Sequence, residues 1–254
     1  MPPLQEERLS DFTAHAWCNA LLSDTSYTIR TRSTLWKQMG VSIPLIARSL
    51  YTDDTIPAWL SLYRSGNGAR RAPPPPPPNK DDAGEGGGAI TSPIPLSTDS
   101  TPITPTPSML HRLISKTDLL YSLSDPALPQ HIILCSLQGG LDGRQNRLHG
   151  GIVSALLDTS MGLLVFQAYG TASSTCELRV VFRKPVRTPG VYGVRARMWR
   201  QRGRWVEMKG WVEDGEEGVY AEAWATFLIP RGVGVGWGRG SEEEVGAMIG
   251  KGER

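Results

Sequence analysis

Cysteine is scarce in this 254-residue chain. Cys18, Cys135 and Cys176 are odd in number and far apart, which suggests neither a disulfide framework nor a zinc site. Long apolar runs are also missing: none reads as reaching the ~18–20 residues that cross a bilayer, so no membrane span is expected. Gln5-Glu6-Glu7-Arg8 stands where a signal peptide would be apolar, and a cytoplasmic location is expected. Hydrophobic residues make up only 39% of the chain, beside 28 glycines and 20 prolines, so part of it cannot be packed. Acidic residues are absent from Arg179 to Arg204, a stretch holding nine basic ones that the net charge of +2 conceals. Such a run is either a solvated sheet face or a site for a polyanion, whether a phosphorylated small molecule or nucleic acid.

What is present divides the chain into four parts. Residues 1–63 read as a partly helical N-terminal extension, with Phe12, Trp17, Leu21 and Leu22 fitting one helix and Trp59–Tyr63 apolar enough to pack onto something. Residues 64–108 are a linker of low complexity, with six prolines from Pro73 to Pro78 and a glycine cluster at Gly84–Gly88. That stretch reads as a plain linker, as a polyproline ligand, or as a product of the gene model. Residues 109–230 hold the main domain, and 231–254 a flexible glycine-rich tail. Within the tail, Gly232-Val233-Gly234-Val235-Gly236 is no dinucleotide loop, because no helix-strand unit with a ribose-binding acid follows.

The main domain carries a short helix around Met109–Ser115, a strand at Ile132–Leu137 and then a long helix. From Gly151 to Phe166 that helix is apolar in nearly every direction, as expected of one wrapped by protein. Four segments with a period of two follow: Thr175–Arg183, Val191–Arg200, Val206–Val212 and Val219–Ile229. Thr188-Pro189-Gly190, Gln201-Arg202-Gly203 and Glu213-Asp214-Gly215 make the turns between them. A four-strand antiparallel meander with a fifth strand before the helix is an α+β layout in which the sheet curls around the helix.

Inside that helix stands one carboxylate, Asp158, which costs several kcal/mol unless it is bonded, paired or at a water-filled cavity. At its start, His149-Gly150-Gly151 offers unpaired backbone N–H groups and the positive end of the helix dipole, the ingredients of an oxyanion site. An ordinary glycine turn with His149 opening the helix is the plainer alternative. Eight residues of helix separate Gly150 from Asp158 by about 12 Å, too far to act on one carbonyl. If both are catalytic, Asp158 must come from an antiparallel neighbour, which predicts a two-fold dimer with shared sites. A structural aspartate capping a backbone group explains Asp158 equally well.

The order Asp142-Gly143, His149-Gly150-Gly151, Asp158, Gly162, Thr175, Leu178, Val180, Phe182, Lys184-Pro185-Val186 resembles the hotdog-fold acyl-CoA thioesterases. The likeness covers roughly residues 127–230, is greatest to the branch with an HGG helix start and an aspartate nine positions after the histidine, and extends to fungal members in the N-terminal portion. It implies a hotdog fold, a curved antiparallel sheet around a long central helix, in a homodimer or dimer of dimers. It implies hydrolysis of an acyl-CoA to acid and thiol, with no metal or cofactor. In that scheme the Gly150 N–H, beside Gly151, polarises the thioester carbonyl, and the partner's Asp158 acts as general base or as nucleophile. Thr175 falls where the family often positions the water, and His149 shapes the helix start. Where some members have an asparagine, Gly143 stands, with Asn146 the nearest amide. CoA phosphates would fall to Arg183, Lys184, Arg202 or Arg204. Trp199, Trp205 or Trp211 would line an acyl tunnel or pack the core. A non-catalytic acyl-binding or scaffold module and a hydroxyacyl-thioester dehydratase are the rivals. A nucleic-acid partner is not expected, since the basic run lacks a recognition helix or an RNA-type aromatic signature.

Overall fold

The structure, a computed structural model, describes residues 7–39, 45–66, 119–123, 125, 128–216 and 218–230. The proline run, the helix expected around Met109–Ser115 and the glycine-rich tail lie outside the described residues. In chain order the first elements are α1 (Leu9–Thr13), α2 (Ala16–Ser23), β1 (Thr28–Thr31), α3 (Arg32–Met39) and β2 (Ala58–Arg64). Then come β3 (Leu119–Leu120), β4 (Gln130–Leu137), β5 (Asp142–Arg144), β6 (Arg147–Leu148) and α4 (Gly150–Tyr169). The last are β7 (Ser174–Phe182), β8 (Gly190–Arg202), β9 (Trp205–Glu213) and β10 (Val219–Leu228).

The fold is the expected hotdog layout: a curved antiparallel sheet with α4 against one face. Period-two alternation decides which side chains meet the helix. Tyr192, Val194, Ala196 and Met198 of β8, Val206, Met208 and Val212 of β9, and Ala221, Ala223, Ala225 and Phe227 of β10 are buried in one cluster with Leu156, Leu157, Met161 and Leu164 of α4. At Gly210 of β9 the backbone lies so near α4 that a Cβ would stand 3.3 Å from Leu157 Cδ2. The helix begins at the His149 N-cap and ends at Gly170 in the left-handed region.

Two points of the organisation differ from the sequence reading. The strands after α4 are not a sequential meander: the sheet order is β1-β2-β4-β8-β9-β10-β7, with β3 on β8. Strand β7 pairs with β10 rather than β8. Alternation assigns faces, and neighbours are settled only by the path of the chain between them. The N-terminal segment, in turn, is part of the sheet. Strand β2 runs antiparallel to β4 from Ala58↔Ser136 to Arg64↔Gln130, and β1 extends the edge. The helix expected around Phe12–Leu22 is two helices, α1 and α2, which place Phe12 and Cys18 with Ala58, Leu60, Leu62, Ile132 and Leu134 in a second core on the opposite face. Strand β4 is therefore buried along its whole length, which accounts for its apolar run Ile132–Cys135.

A third difference concerns α4. Its 20 residues have the length and mean hydropathy, 1.5, of a membrane span, contrary to the expectation that no run is long enough. Its sheet-facing side is buried in the core, a place that makes the same demand for apolar residues. Nor is it wrapped all round. Gly151 is exposed, and Ile152, Ser154, Ala155, Asp158, Thr159 and Gly162 are half-buried, a stripe at helical spacing left open by the sheet.

One polar chain crosses the apolar interior. The Ser160 hydroxyl donates to the Val194 carbonyl at 2.8 Å and accepts from His131 Nδ1 at 3.1 Å, while His131 Nε2 accepts from the Ser61 hydroxyl at 2.8 Å. Burial, helped by the nearby Arg30 charge, pushes the His131 imidazole down to about 3 from an ordinary 6.5. The folded state thus keeps it neutral where the unfolded chain takes a proton. Its contribution to stability is full above pH 6.5 and is lost progressively as pH falls from 6.5 toward 3. His131→Gln is expected to be less stable at pH 8 by about 1–3 kcal/mol. Its urea midpoint should then fall less steeply between pH 6.5 and 4 than that of the wild type.

Candidate functional site

The first half of the site is the start of α4. His149 has extended backbone angles, and its Nδ1 accepts the Gly151 N–H at 2.9 Å. That bond fixes the tautomer: Nδ1 is the acceptor, so in the neutral ring Nε2 carries the proton. The Gly151 N–H is thereby used, while the Gly150 N–H has no acceptor among the described residues. Of the two glycines expected to face a carbonyl, the structure leaves Gly150 free to do so. A Cβ on Gly150 would stand 3.3 Å from Phe182 Cζ, and one on Gly143 would stand 3.0 Å from His149 Cδ2. Gly143 thus has little room for the amide that some relatives place there.

A groove of about 510 Å³ opens at this point, floored by Leu148, Val153, Phe182, Pro185 and Val186 beside Gly150. Phe182 is 55% exposed, the largest exposure of any big apolar side chain described. Arg144, Arg147, Arg183 and Lys184 also line the groove. Arg183 pairs with Glu222, with Nη2 at 2.8 Å and Nε at 2.9 Å from Oε2, and shares that carboxylate with Lys209, whose Nζ is 2.9 Å from Oε1. Lys184 lies 5.8 Å from the Tyr220 ring centroid. Arg204 is not brought to the groove: it belongs to the β8–β9 turn, where it donates to the Ile229 carbonyl at 2.9 Å. Arg202, at the end of β8, does not line it either.

Asn146 occupies the turn between β5 and β6 with φ 56, a conformation asparagine tolerates better than most residues. Its N–H donates to Asp142 Oδ2 at 2.7 Å, and Asp142 Oδ1 accepts the Thr188 hydroxyl. The turn thus accounts for Asn146, and the residue does not line the groove. Trp211 lies on the sheet face away from α4, with Nε1 donating to Glu213 Oε2 at 2.6 Å, and Trp205 is 44% exposed. Neither lines a tunnel beside the helix.

The second half of the site is Asp158 on the open stripe of α4. Thr175 Oγ1, near the start of β7, donates to Asp158 Oδ1 at 2.8 Å, and Oδ2 has no partner among the described residues. Burial raises the carboxyl above the usual carboxylate range, and the Thr175 bond acts the other way. The sequence reading has Thr175 hold a water; here the threonine holds the carboxylate itself, leaving one oxygen to meet a water. Gly150 and Asp158 lie on one continuous helix about 12 Å apart along its axis. The groove includes neither Asp158 nor Thr175.

Comparison with known proteins bears on this arrangement. Residues 145–221 match the family model of the thioesterase superfamily. The match runs from the β5–β6 turn into β10 and contains Gly150, Asp158 and Thr175. Among solved structures, the chain is similar to a putative thioesterase from Ralstonia eutropha described as phenylacetic acid degradation-related. Identity there is 21%, over 49% of this chain and 92% of that one, with a TM-score of 0.38. The E. coli PaaI protein is 13% identical over 41% of this chain and 75% of its own, with a TM-score of 0.38. Zebra fish thioesterase superfamily member 2 is 11% identical over 45% and 83%, with a TM-score of 0.38. No curated protein matches the chain.

Arg144, Arg147 and Phe182 are among the groove residues that sequence reasoning missed as site candidates, as are Leu148 and Val153 of its floor. Two arginines flanking a Gln-Asn turn just before His149-Gly150-Gly151 were the available signal, since a tight hairpin sets its flanks side by side. Two outcomes are expected at Asp158. Removing the Thr175 hydroxyl removes a bond that favours the ionised form, so Thr175→Val should move the Asp158 titration, followed by NMR of the carboxyl carbon, to higher pH. Because the folded-state value is raised, the protonated form favours folding below the unfolded value, and that benefit is lost as pH rises through the folded one. Asp158→Asn should therefore melt at a higher temperature than wild type at pH 7.

Proposed function

We propose that the protein hydrolyses an acyl-CoA thioester to the free acid and CoA, as a member of the HGG-helix-Asp branch of hotdog thioesterases. The match to the thioesterase superfamily supports thioester hydrolysis in general. The observation that carries the finer reading is the pairing of an unused Gly150 N–H with a half-buried, Thr175-anchored Asp158 on the open face of the same helix. Neither half is complete alone, and their separation along one helix requires a second copy. In a two-fold dimer, homodimer or dimer of dimers, the half-buried stripe of small residues on α4 lets the partner's helix approach antiparallel.

In this reading the thioester carbonyl oxygen accepts the Gly150 N–H, at the positive end of the α4 dipole. Asp158 of the partner subunit, its Oδ1 held by Thr175, takes a proton from water through Oδ2. The hydroxide adds to the carbonyl carbon, and negative charge develops on the oxygen facing Gly150. Collapse of this tetrahedral species breaks the carbon–sulfur bond, and the protonated Asp158 returns its proton to the departing thiolate. The raised affinity of Asp158 for protons suits a general base.

A free-thiol release assay over a panel of acyl-CoAs tests this. Wild type should hydrolyse at least one member, and Asp158→Asn should lower kcat by about 10²–10⁴-fold. Full activity in Asp158→Asn, or light scattering that shows an active monomer, would sink the shared-site scheme. Binding of acyl-CoA without turnover would instead favour a scaffold module.

A further inference from the structure

We infer that Arg30 and Ser61, a cross-strand pair of the N-terminal segment, are positioning residues that fix the rotation of α4 about its axis and so aim Asp158. The inference rests on the proposed reaction, in which Asp158 serves a second copy, and it names residues that govern that carboxylate without touching substrate. Three observations carry it.

The first is where the N-terminal strands reach α4. Arg30 of β1 stands opposite Ser61 of β2 in their ladder. Arg30 Nη1 donates to Gln167 Oε1 at 2.8 Å, and Ser61 is linked to Ser160 through His131. Ser160 and Gln167 follow Asp158 by two and nine residues. At 3.6 residues per turn they stand about 200° and about 180° around the helix from it. Both links therefore hold one line along the back of α4, and Asp158 stands on the front.

The second is the unfavourable placement that this hold requires. Ser61 shares the inner face of β2 with Trp59 and Tyr63, while Leu60 and Leu62 point into the outer core. Ser61, His131 and Ser160 are fully buried where apolar side chains would pack. Buried polar groups add little net stability, and their best-attested use is to select one register. The rest of the contact selects weakly: Leu156, Leu157, Met161 and Leu164 meet valines, alanines and methionines of the sheet, and apolar attraction is non-directional. The Tyr169 hydroxyl, which donates to Gln201 Oε1 at 3.0 Å, holds only the last turn.

The third is leverage. A side-chain carboxylate lies about 5 Å from the helix axis, so turning α4 by about 20° moves it by about 2 Å. A displacement of about 1 Å at a reacting group can lower a rate by about 100-fold. Arg30, Ser61 and His131 all lie outside residues 145–221, so this hold on α4 comes from beyond the part that matches the thioesterase superfamily. The strand that supplies Ser61 is itself fixed from behind by Phe12 and Cys18 in the outer core.

The test compares full-length wild type with Arg30→Met/Ser61→Ala in two measurements. These are steady-state hydrolysis of the acyl-CoA that wild type turns over best and titration of the Asp158 carboxyl carbon followed by NMR. The double variant should lose about 10- to 100-fold in kcat with KM within about twofold of wild type. Its Asp158 titration should depart from that of wild type, because Thr175 no longer meets the carboxylate in the same geometry. Arg30→Lys, which keeps a donor for Gln167, should retain most of the kcat. Phe12→Leu trims the core on the far side of the sheet, and should lower the melting temperature while leaving kcat and the titration as in wild type. Should the double variant not fold, Arg30→Met and Ser61→Ala taken singly carry the same comparison. Wild-type kcat and titration in the folded variants overturn the inference, as does an equal loss of kcat in Phe12→Leu. If wild type hydrolyses no thioester, the proposed reaction falls and the titration decides alone: a shift upholds the hold on α4, and no shift overturns it.

Discussion

The contact between α4 and the inner face of the sheet organises the rest of the molecule. A 20-residue helix this apolar must hide most of its surface, and the sheet hides it with alternating residues of β8, β9 and β10. Small side chains at Ala221, Ala223 and Ala225, with Gly210, let the helix settle close. Two consequences follow for the site. The helix N-terminus is held at the edge of the apolar contact, where Phe182 and Pro185 border it. The side left open by the sheet is the side carrying Asp158, so a carboxylate is kept half out of water without being sealed in.

A second apolar layer on the outer face of β2 and β4 explains why the N-terminal segment is more than an appendage. The same segment carries a buried charge pair beside Ile46, Ile56 and Trp59 of the helix-side core: Arg32 and Glu7 are 2% and 4% exposed and 3.5 Å apart. Glu7 also accepts the Arg32 and Trp59 N–H groups, and the Arg32 guanidinium donates to the Ile46 and Ile56 carbonyls. Burial raises the Glu7 carboxyl, against the pull of Arg32 and the two N–H groups. Such a pair adds little net stability over an apolar replacement, but losing one partner is costly, on the order of 3–5 kcal/mol. Through the Trp59 N–H it ties Glu7 to β2, the strand beside β4.

The chemistry of the candidate site was legible to different depths. Asp158 stood out because a carboxylate in an apolar helix demands an explanation, and its distance from Gly150 could be reckoned from helical rise alone. The fate of the N–H groups could not. Whether Gly150 or Gly151 stays free depends on the side-chain angle of His149, which takes the Gly151 N–H. The same holds for the basic run. Its length suggested a polyanion, yet Arg183, Arg195 and Arg200 find carboxylates on neighbouring strands, while Arg197 and Arg204 bond to amide and backbone oxygens. Cross-strand pairing decides which charges cancel, and that pairing is not local in sequence.

The sequence by itself determined the elements and their faces. Period-two and helical spacing are properties of a few consecutive residues, so β7 to β10, α4 and the inward side chains could all be read from order alone. The glycine pair after His149 and the solitary Asp158 were equally local. Only the tertiary structure decided that β7 lies beside β10, that the first 64 residues contribute two strands to the sheet, and that Thr175 meets Asp158. These are contacts between segments far apart along the chain. They are set by competition among many apolar faces for burial, and no short stretch of residues encodes the outcome of that competition.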